Sequence, residues 1–231
     1  MDYQGRHVIV TGGTGALGTA VVGALLQAGA TCHVPYRKKN EANAFPHRSH
    51  ANLKLYPDVE LTDEQSVARL YGAAPQLWAS IHLAGGFAMA PVAQTTKADF
   101  VAQIDTNLVS CFLCCHAAVK QMAGRGGRIV NVTARAALEW RSGSGMAAYT
   151  AAKAGLAALT VALSEEVARD NILVNAVAPS TMDTPANRKA MQKANFSAWP
   201  KVEEVAATIL FLASPENIVT RGAIVPVYGK S

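Results

Sequence analysis

The sequence predicts an α/β chain: a doubly wound parallel sheet of about seven strands in a three-layer αβα arrangement. Three observations carry this expectation. Short apolar runs alternate with longer helical patterns along all 231 residues, a glycine-rich turn joins the first strand to the first helix, and no linker, charge block or solenoid repeat breaks the alternation. Strand, helix, strand repeated in this way gives a parallel sheet covered on both faces. One domain over 1–231 is the economical reading.

The first strand is expected at His7 to Thr11 and the first helix at Ala16 to Ala28, where Ala16, Leu17, Ala20, Val21, Ala24, Leu25 and Ala28 line one face. Further strands are expected at Thr31 to Pro35, Leu53 to Pro57, Ser80 to Ala84, Arg128 to Val132, Leu173 to Ala178 and Ala223 to Val227. Two stretches depart from the pattern. Arg37 to Asn52 is basic and polar, a surface loop with room for a short helix. Ser180 to Val202 brings Pro, Met, Phe and Trp in after a strand, where α/β sheets bind ligands, so 180–202 is a candidate substrate lid.

Half the residues are hydrophobic, enough for a substantial core. The formal net charge of +5 is spread along the chain, without the stripe of interleaved basic and aromatic residues that would suggest nucleic acid. Met1 to His7 run straight into the first strand, so no leader is expected, and no apolar run reads as a membrane span. Of the four cysteines, Cys111, Cys114 and Cys115 crowd one helical stretch and cannot form a disulfide framework; free thiols in a reducing cytoplasm fit best. With His116 they suggest a metal, but four convergent ligands are not evident, and buried structural thiols are expected rather than a metal site.

Thr11-Gly12-Gly13-Thr14-Gly15-Ala16-Leu17-Gly18 leads from strand to helix. Such a turn lets backbone N–H groups approach a pyrophosphate at a helix N-terminus, a Rossmann-type dinucleotide site. The end of the second strand reads the cofactor: an acidic residue suits a ribose hydroxyl, a cation a 2′-phosphate. Tyr36-Arg37-Lys38 stands there, so NADP(H) is preferred and NAD(H) remains a possibility. Tyr149 and Lys153 share one helical face at i,i+4. An ammonium beside a phenol lowers its proton affinity, which suits Tyr149 as a general acid.

With these motifs the sequence resembles the short-chain dehydrogenase/reductase family over nearly its whole length. The matching pieces are Thr11 to Gly18, Asp58-Val59, Ala84-Gly85, Asn107 within Asp105 to Leu108, Gly127 to Val132, Tyr149 to Lys153, Val174 to Pro179 and Leu210 to Ser214. The resemblance implies hydride transfer between a nicotinamide and a small carbonyl or alcohol. It implies that Tyr149 exchanges the proton, Lys153 holds the nicotinamide ribose and Asn107 supports a relay water. It also implies cofactor contacts from Gly12, Thr14, Gly15, Ala16, Leu17, Gly18, Tyr36, Arg37, Asp58, Val59, Ala84, Gly85, Gly86, Pro179, Thr181, Met182 and Thr184, the last to the carboxamide. A homodimer or homotetramer packing the helices of Asn107 and Tyr149 is implied as well.

Two departures stand out. His82-Leu83-Ala84-Gly85-Gly86 replaces the family's usual Asn-Asn-Ala-Gly, and Ala134 stands where a substrate-binding Ser is usual. Losing a preorganised donor costs roughly 10²–10³ in rate. Thr133, Ser142 or Ser144 could substitute, or the substrate needs no such donor. The second option matches a resemblance to the dihydropteridine reductase-like branch, carried by Ala134 to Leu138, Gly145 to Tyr149, Asp183 to Met191 and Asn195 to Trp199. It implies a quinonoid dihydropterin as an alternative substrate. That branch prefers NADH and has an acidic residue where this chain has Tyr36. Phe87, Trp140, Phe196 and Trp199, with Thr133 and Ala134, are the substrate-pocket candidates. An NADP(H) sensor without turnover is the alternative of a different class; retention of Tyr149, Lys153 and Asn107 argues against it.

Overall fold

A computed structural model describes residues 1–231. Its seven strands are β1 His7–Thr11, β2 Thr31–Pro35, β3 Leu53–Tyr56, β4 Leu77–His82, β5 Gly127–Val132, β6 Ile172–Pro179 and β7 Ile224–Val227. They form one sheet in the order β3-β2-β1-β4-β5-β6-β7, every pair parallel. The order reverses between β1 and β4, which opens a crevice at the carboxyl ends of those strands.

The helices are α1 Ala16–Gln27, α2 Lys39–Ala44, α3 Glu64–Gly72, α4 Lys97–Ile104, α5 Ser110–Met122, α6 Arg135–Leu138, α7 Ala147–Glu166, α8 Pro185–Ala190 and α9 Val202–Ala213. Their starts follow from local chemistry. Asp63 accepts from the Ser66 N–H at 2.7 Å to cap α3, and Thr96 and Asp99 form a reciprocal capping box on α4. Alternation along the strands sends side chains to two cores. Val8, Val10, Val21, Leu25, Ile209 and Leu212 pack under α1 and α9, while Ile9, Leu70, Met122, Ile129, Leu156 and Ile172 pack under α3, α5 and α7.

The main difference from the sequence reading lies in β4, which begins at Leu77 instead of Ser80 and ends at His82. Leu77 and Ala79 are buried, but so short an apolar run does not by itself separate the start of a strand from the end of the preceding helix. Helical lengths also differ. Lys97–Met122, 26 residues continuous through a wider π-helical turn at Asp105–Val109, and Ala147–Glu166, 20 residues, reach the length and mean hydropathy of a membrane span. Both lie against the sheet and its neighbouring helices, with Met122 and Leu156 in the core.

Candidate active site

At the crevice, the β1–α1 turn and the end of β4 approach within backbone contact. Gly12 has φ +67°, and a Cβ there would lie 2.7 Å from the Ala84 nitrogen; a Cβ on Gly18 would lie 2.2 Å from the Gly12 carbonyl. Only glycine fits either position. The result is a cleft of about 590 Å³ whose walls include Gly12, Thr14, Gly15, Tyr36, Arg37 and Gly85. The α1 N-terminus has no side-chain cap, so its first N–H groups are free to meet an anion. Ala16 and Leu17 form that first turn, and buried Val59 continues the wall beyond β3, next to the exposed Asp58 (φ +54°). These features fit a dinucleotide: a steric cradle for the pyrophosphate near the middle of the cleft and a cation, Arg37, at one end.

Arg37 is exposed and paired to Glu60 at 3.3 Å. Glu60 and Glu41, both lining this end of the cleft, were not singled out from the sequence. An exposed pair of this kind is worth about 0–1 kcal/mol, so Arg37 can leave Glu60 for a phosphate at little cost.

The other end of the cleft carries the titratable groups. The π-helical turn turns Asn107 inward, fully buried, where Oδ1 accepts from the Gly86 N–H at 3.1 Å and Nδ2 donates to the Gly86 carbonyl at 3.0 Å. Lys153, from α7, donates to the Val132 carbonyl at 2.8 Å. A Cβ on Gly85 would lie 2.7 Å from Asn107 Oδ1 and 3.4 Å from Lys153 Nζ, so this glycine brings the cleft floor against both. Tyr149 is half-buried one turn before Lys153, with Phe87 edge-on to its ring at a centroid distance of 5.1 Å.

Burial lowers Lys153 to about 8 and raises Tyr149 to about 12. The sequence reading expected the ammonium to lower the phenol. Burial instead raises it, with Lys153 donating to the Val132 carbonyl and its Nζ 5.9 Å from the Tyr149 ring centroid. Tyr149 therefore holds its proton at neutral pH.

Several pocket candidates are placed elsewhere. Thr133 donates its hydroxyl to the Lys153 carbonyl at 2.7 Å and Ser142 donates to the Glu139 carbonyl at 2.8 Å, so neither stands in for the missing serine. Ser144 and Trp140 line a hollow against Ala147, Thr150, Ala151 and Ala154, the α7 face opposite Tyr149. Phe196 and Trp199 pack on each other at 5.0 Å, and Arg188 covers Phe196. Ala134 is buried at the start of α6. Pro179 ends β6, with Thr181 and Met182 half-buried after it. Thr184 accepts from the Asn187 N–H at 3.2 Å to cap α8, and its hydroxyl proton stays free to donate.

Residues 6–195 match the short chain dehydrogenase family. The chain is similar to the 3-oxoacyl-(acyl-carrier-protein) reductase FabG of Rickettsia felis, 32% identical over 242 residues spanning 99% of this chain and 98% of that protein. It is 30% identical over 251 residues to 2,3-dihydroxy-2,3-dihydro-p-cumate dehydrogenase of Pseudomonas putida, covering 100% and 96%. Among solved structures it is similar to ElxO with NADP bound, with a TM-score of 0.86, 25% identity and 97% of each chain covered.

Proposed function

Given that this chain belongs to the short-chain dehydrogenase/reductase family and is an oxidoreductase of that nicotinamide-dependent class, we propose that it uses NADP(H) in preference to NAD(H) to reduce a small carbonyl or related conjugated substrate. The observation that carries this reading is the arrangement of one cleft. A glycine cradle lies near its middle, Arg37 at one end, and Lys153 with Asn107 beneath Gly85 at the other.

A bound nicotinamide supplies the hydride chemistry; the chain's residues do the rest. Gly12, Thr14, Gly15, Ala16, Leu17 and Gly18 seat the pyrophosphate, Tyr36 and Arg37 the 2′-phosphate side, and Asp58 and Val59 the adenine. Ala84, Gly85 and Gly86 form the floor, and Pro179, Thr181, Met182 and Thr184 border the nicotinamide end. Tyr149, holding its proton at neutral pH, starts as the acid, which suits reduction. Lys153 sets the ribose and supplies positive charge where the phenolate develops. Asn107, tied to both backbone groups of Gly86, positions the floor beneath them.

Within this reading, the substrate is one that takes hydride without building charge on an oxygen opposite Ala134. What supports this is that Thr133 and Ser142 spend their hydroxyls on backbone carbonyls and Ser144 lines the hollow on the α7 face opposite Tyr149. A quinonoid dihydropterin is such a substrate, and the exposed Phe87 face beside Tyr149 offers it a stacking surface. Residues 180–202 would close over it as a unit, because the Asp183 N–H donates to the Pro200 carbonyl at 2.9 Å and ties the base of the segment. The test is a rate panel: NADPH and NADH against aldehydes, ketones and a quinonoid dihydropterin, with wild type and Arg37→Asp. The expected result is faster turnover of the dihydropterin, an NADPH preference, and loss of that preference by roughly 10–100-fold in the variant. An NADH preference in the wild type contradicts the cofactor assignment; faster turnover of simple ketones than of the dihydropterin keeps the carbonyl reading and contradicts the dihydropterin one.

A further inference from the structure

One buried cluster has no part in the reduction just described. Cys111 and Cys115, one turn apart on α5, face His82 at the end of β4 and Asn131 on β5, and all four residues are almost completely buried. Each sulfur lies 3.6 Å from His82 Nδ1; the sulfurs lie 3.2 and 3.7 Å from Asn131 Oδ1, and Nδ1 lies 2.8 Å from that oxygen. The imidazole nitrogen and the two sulfurs are all within 4.8 Å of one another. Four donor atoms from three elements thus converge on one point.

The geometry points to a metal site here, two cysteine thiolates and His82 Nδ1 holding a thiophilic d¹⁰ cation, zinc(II) or copper(I), with the Asn131 amide oxygen as a weaker fourth donor. With metal–sulfur bonds of about 2.3 Å and metal–nitrogen bonds of about 2.0–2.1 Å, tetrahedral angles separate S and N by about 3.6 Å, the spacing found for both cysteines. The amide oxygen is closer to Nδ1 than the roughly 3.4 Å of such a site, and withdraws by about half an ångström to accommodate the ion. The donor set is soft, which favours these cations over magnesium or calcium.

The surrounding groups already hold the ligands in orientation. Nδ1–H donates to Asn131 Oδ1 at 2.8 Å, and Ser80 Oγ at 2.7 Å and the Tyr71 hydroxyl at 3.2 Å from His82 Nε2 can accept a hydrogen bond from the ring proton there when Nδ1 turns its lone pair to the ion. Asn131 Nδ2 donates to Thr160 Oγ1 at 2.9 Å, which fixes Oδ1 toward the cluster. Binding releases two protons, one from each thiol, as two metal–sulfur bonds form. The imidazole proton moves from Nδ1 to Nε2, and no electron is transferred. His116, the histidine nearest the cysteines in sequence, packs instead on Phe112; His82 comes from 29 residues before Cys111 and completes the set.

The site joins β4, β5 and α5, the helix that continues from the Asn107 turn, so its role is to staple that helix to the sheet. The test uses the full chain expressed in zinc-supplemented and in copper-supplemented medium, purified under reducing conditions and dialysed against EDTA, with metal counted by mass spectrometry. About one ion per chain is expected from at least one medium. His82→Asn, which restores the residue usual in the family, is expected to fold with an unchanged far-ultraviolet circular dichroism spectrum and to lose the ion. Wild type refolded with Cd²⁺ is expected to gain a thiolate-to-cadmium charge-transfer band that Cys115→Ala lacks. A wild type free of metal from both media and without that band overturns the site, as does a His82→Asn protein that retains the same metal content.

Discussion

At the scale of the residue, burial determines how Tyr149 and Lys153 behave. Tyr149 is raised to about 12 and Lys153 lowered to about 8 by loss of solvent. A lysine whose folded value lies below its unfolded 10.5 sheds its proton first in the folded chain, so the positive charge beside Tyr149 fades as pH rises through about 8. In the reduction direction, kcat/KM for the cofactor should fall on the alkaline side with a midpoint near 8, while the phenol is still protonated. A profile that stays level to about pH 10 would show that this charge is not used. The i,i+4 spacing made the pair legible in the sequence, but the direction of the Tyr149 shift was not, since it comes from burial that only the folded chain supplies.

At the scale of the element, β2 and its neighbours carry a buried polar chain. His7 Nδ1 lies 2.9 Å from His33 Nε2, and His33 Nδ1 lies 2.7 Å from the Tyr56 hydroxyl. Burial, then the His7 and Lys54 charges, lowers His33 to about 4. The folded chain keeps this ring neutral while the unfolded chain protonates it near 6.5, so stability is complete above about 6.5 and is lost as pH falls toward 4. Urea unfolding at about pH 7 and pH 4.5 should show a loss of roughly 1–3 kcal/mol that His33→Gln reduces. An equal loss in the variant would remove His33 as the cause.

Element boundaries were legible wherever apolar runs met turn residues, as at β1, β2 and the Gly12 to Gly18 turn. They were less legible at β4, where the apolar Leu77, Trp78 and Ala79 extend the strand before Ser80. Ser80, His82 and Asn131 satisfy one another inside the sheet, and that network appears only when β4 and β5 pair. Aromatic residues misled in the opposite sense. Trp140 follows a strand in sequence, as pocket residues do, yet it lines a hollow on the α7 face opposite Tyr149, while Phe196 and Trp199 pack on each other.

At the scale of the whole molecule, α4, α5 and α7 leave Phe100, Val101, Phe112 and Val161 between 41 and 49% exposed. Apolar side chains on neighbouring helices that also flank Asn107 and Tyr149 are suited to meet a symmetry mate. The expected solution mass is two or four times 24.2 kDa, and Phe112→Glu should lower it, as read by light scattering. A wild type that runs as a single chain at micromolar concentration would contradict this assembly.

The central claim, that Tyr149 supplies the proton for a nicotinamide-dependent reduction, is tested most directly by single-turnover NADPH oxidation in wild type and Tyr149→Phe at matched cofactor occupancy. The account predicts equal NADPH binding and a rate lowered by about 10²–10⁴-fold in the variant. Equal rates in the two proteins would contradict it.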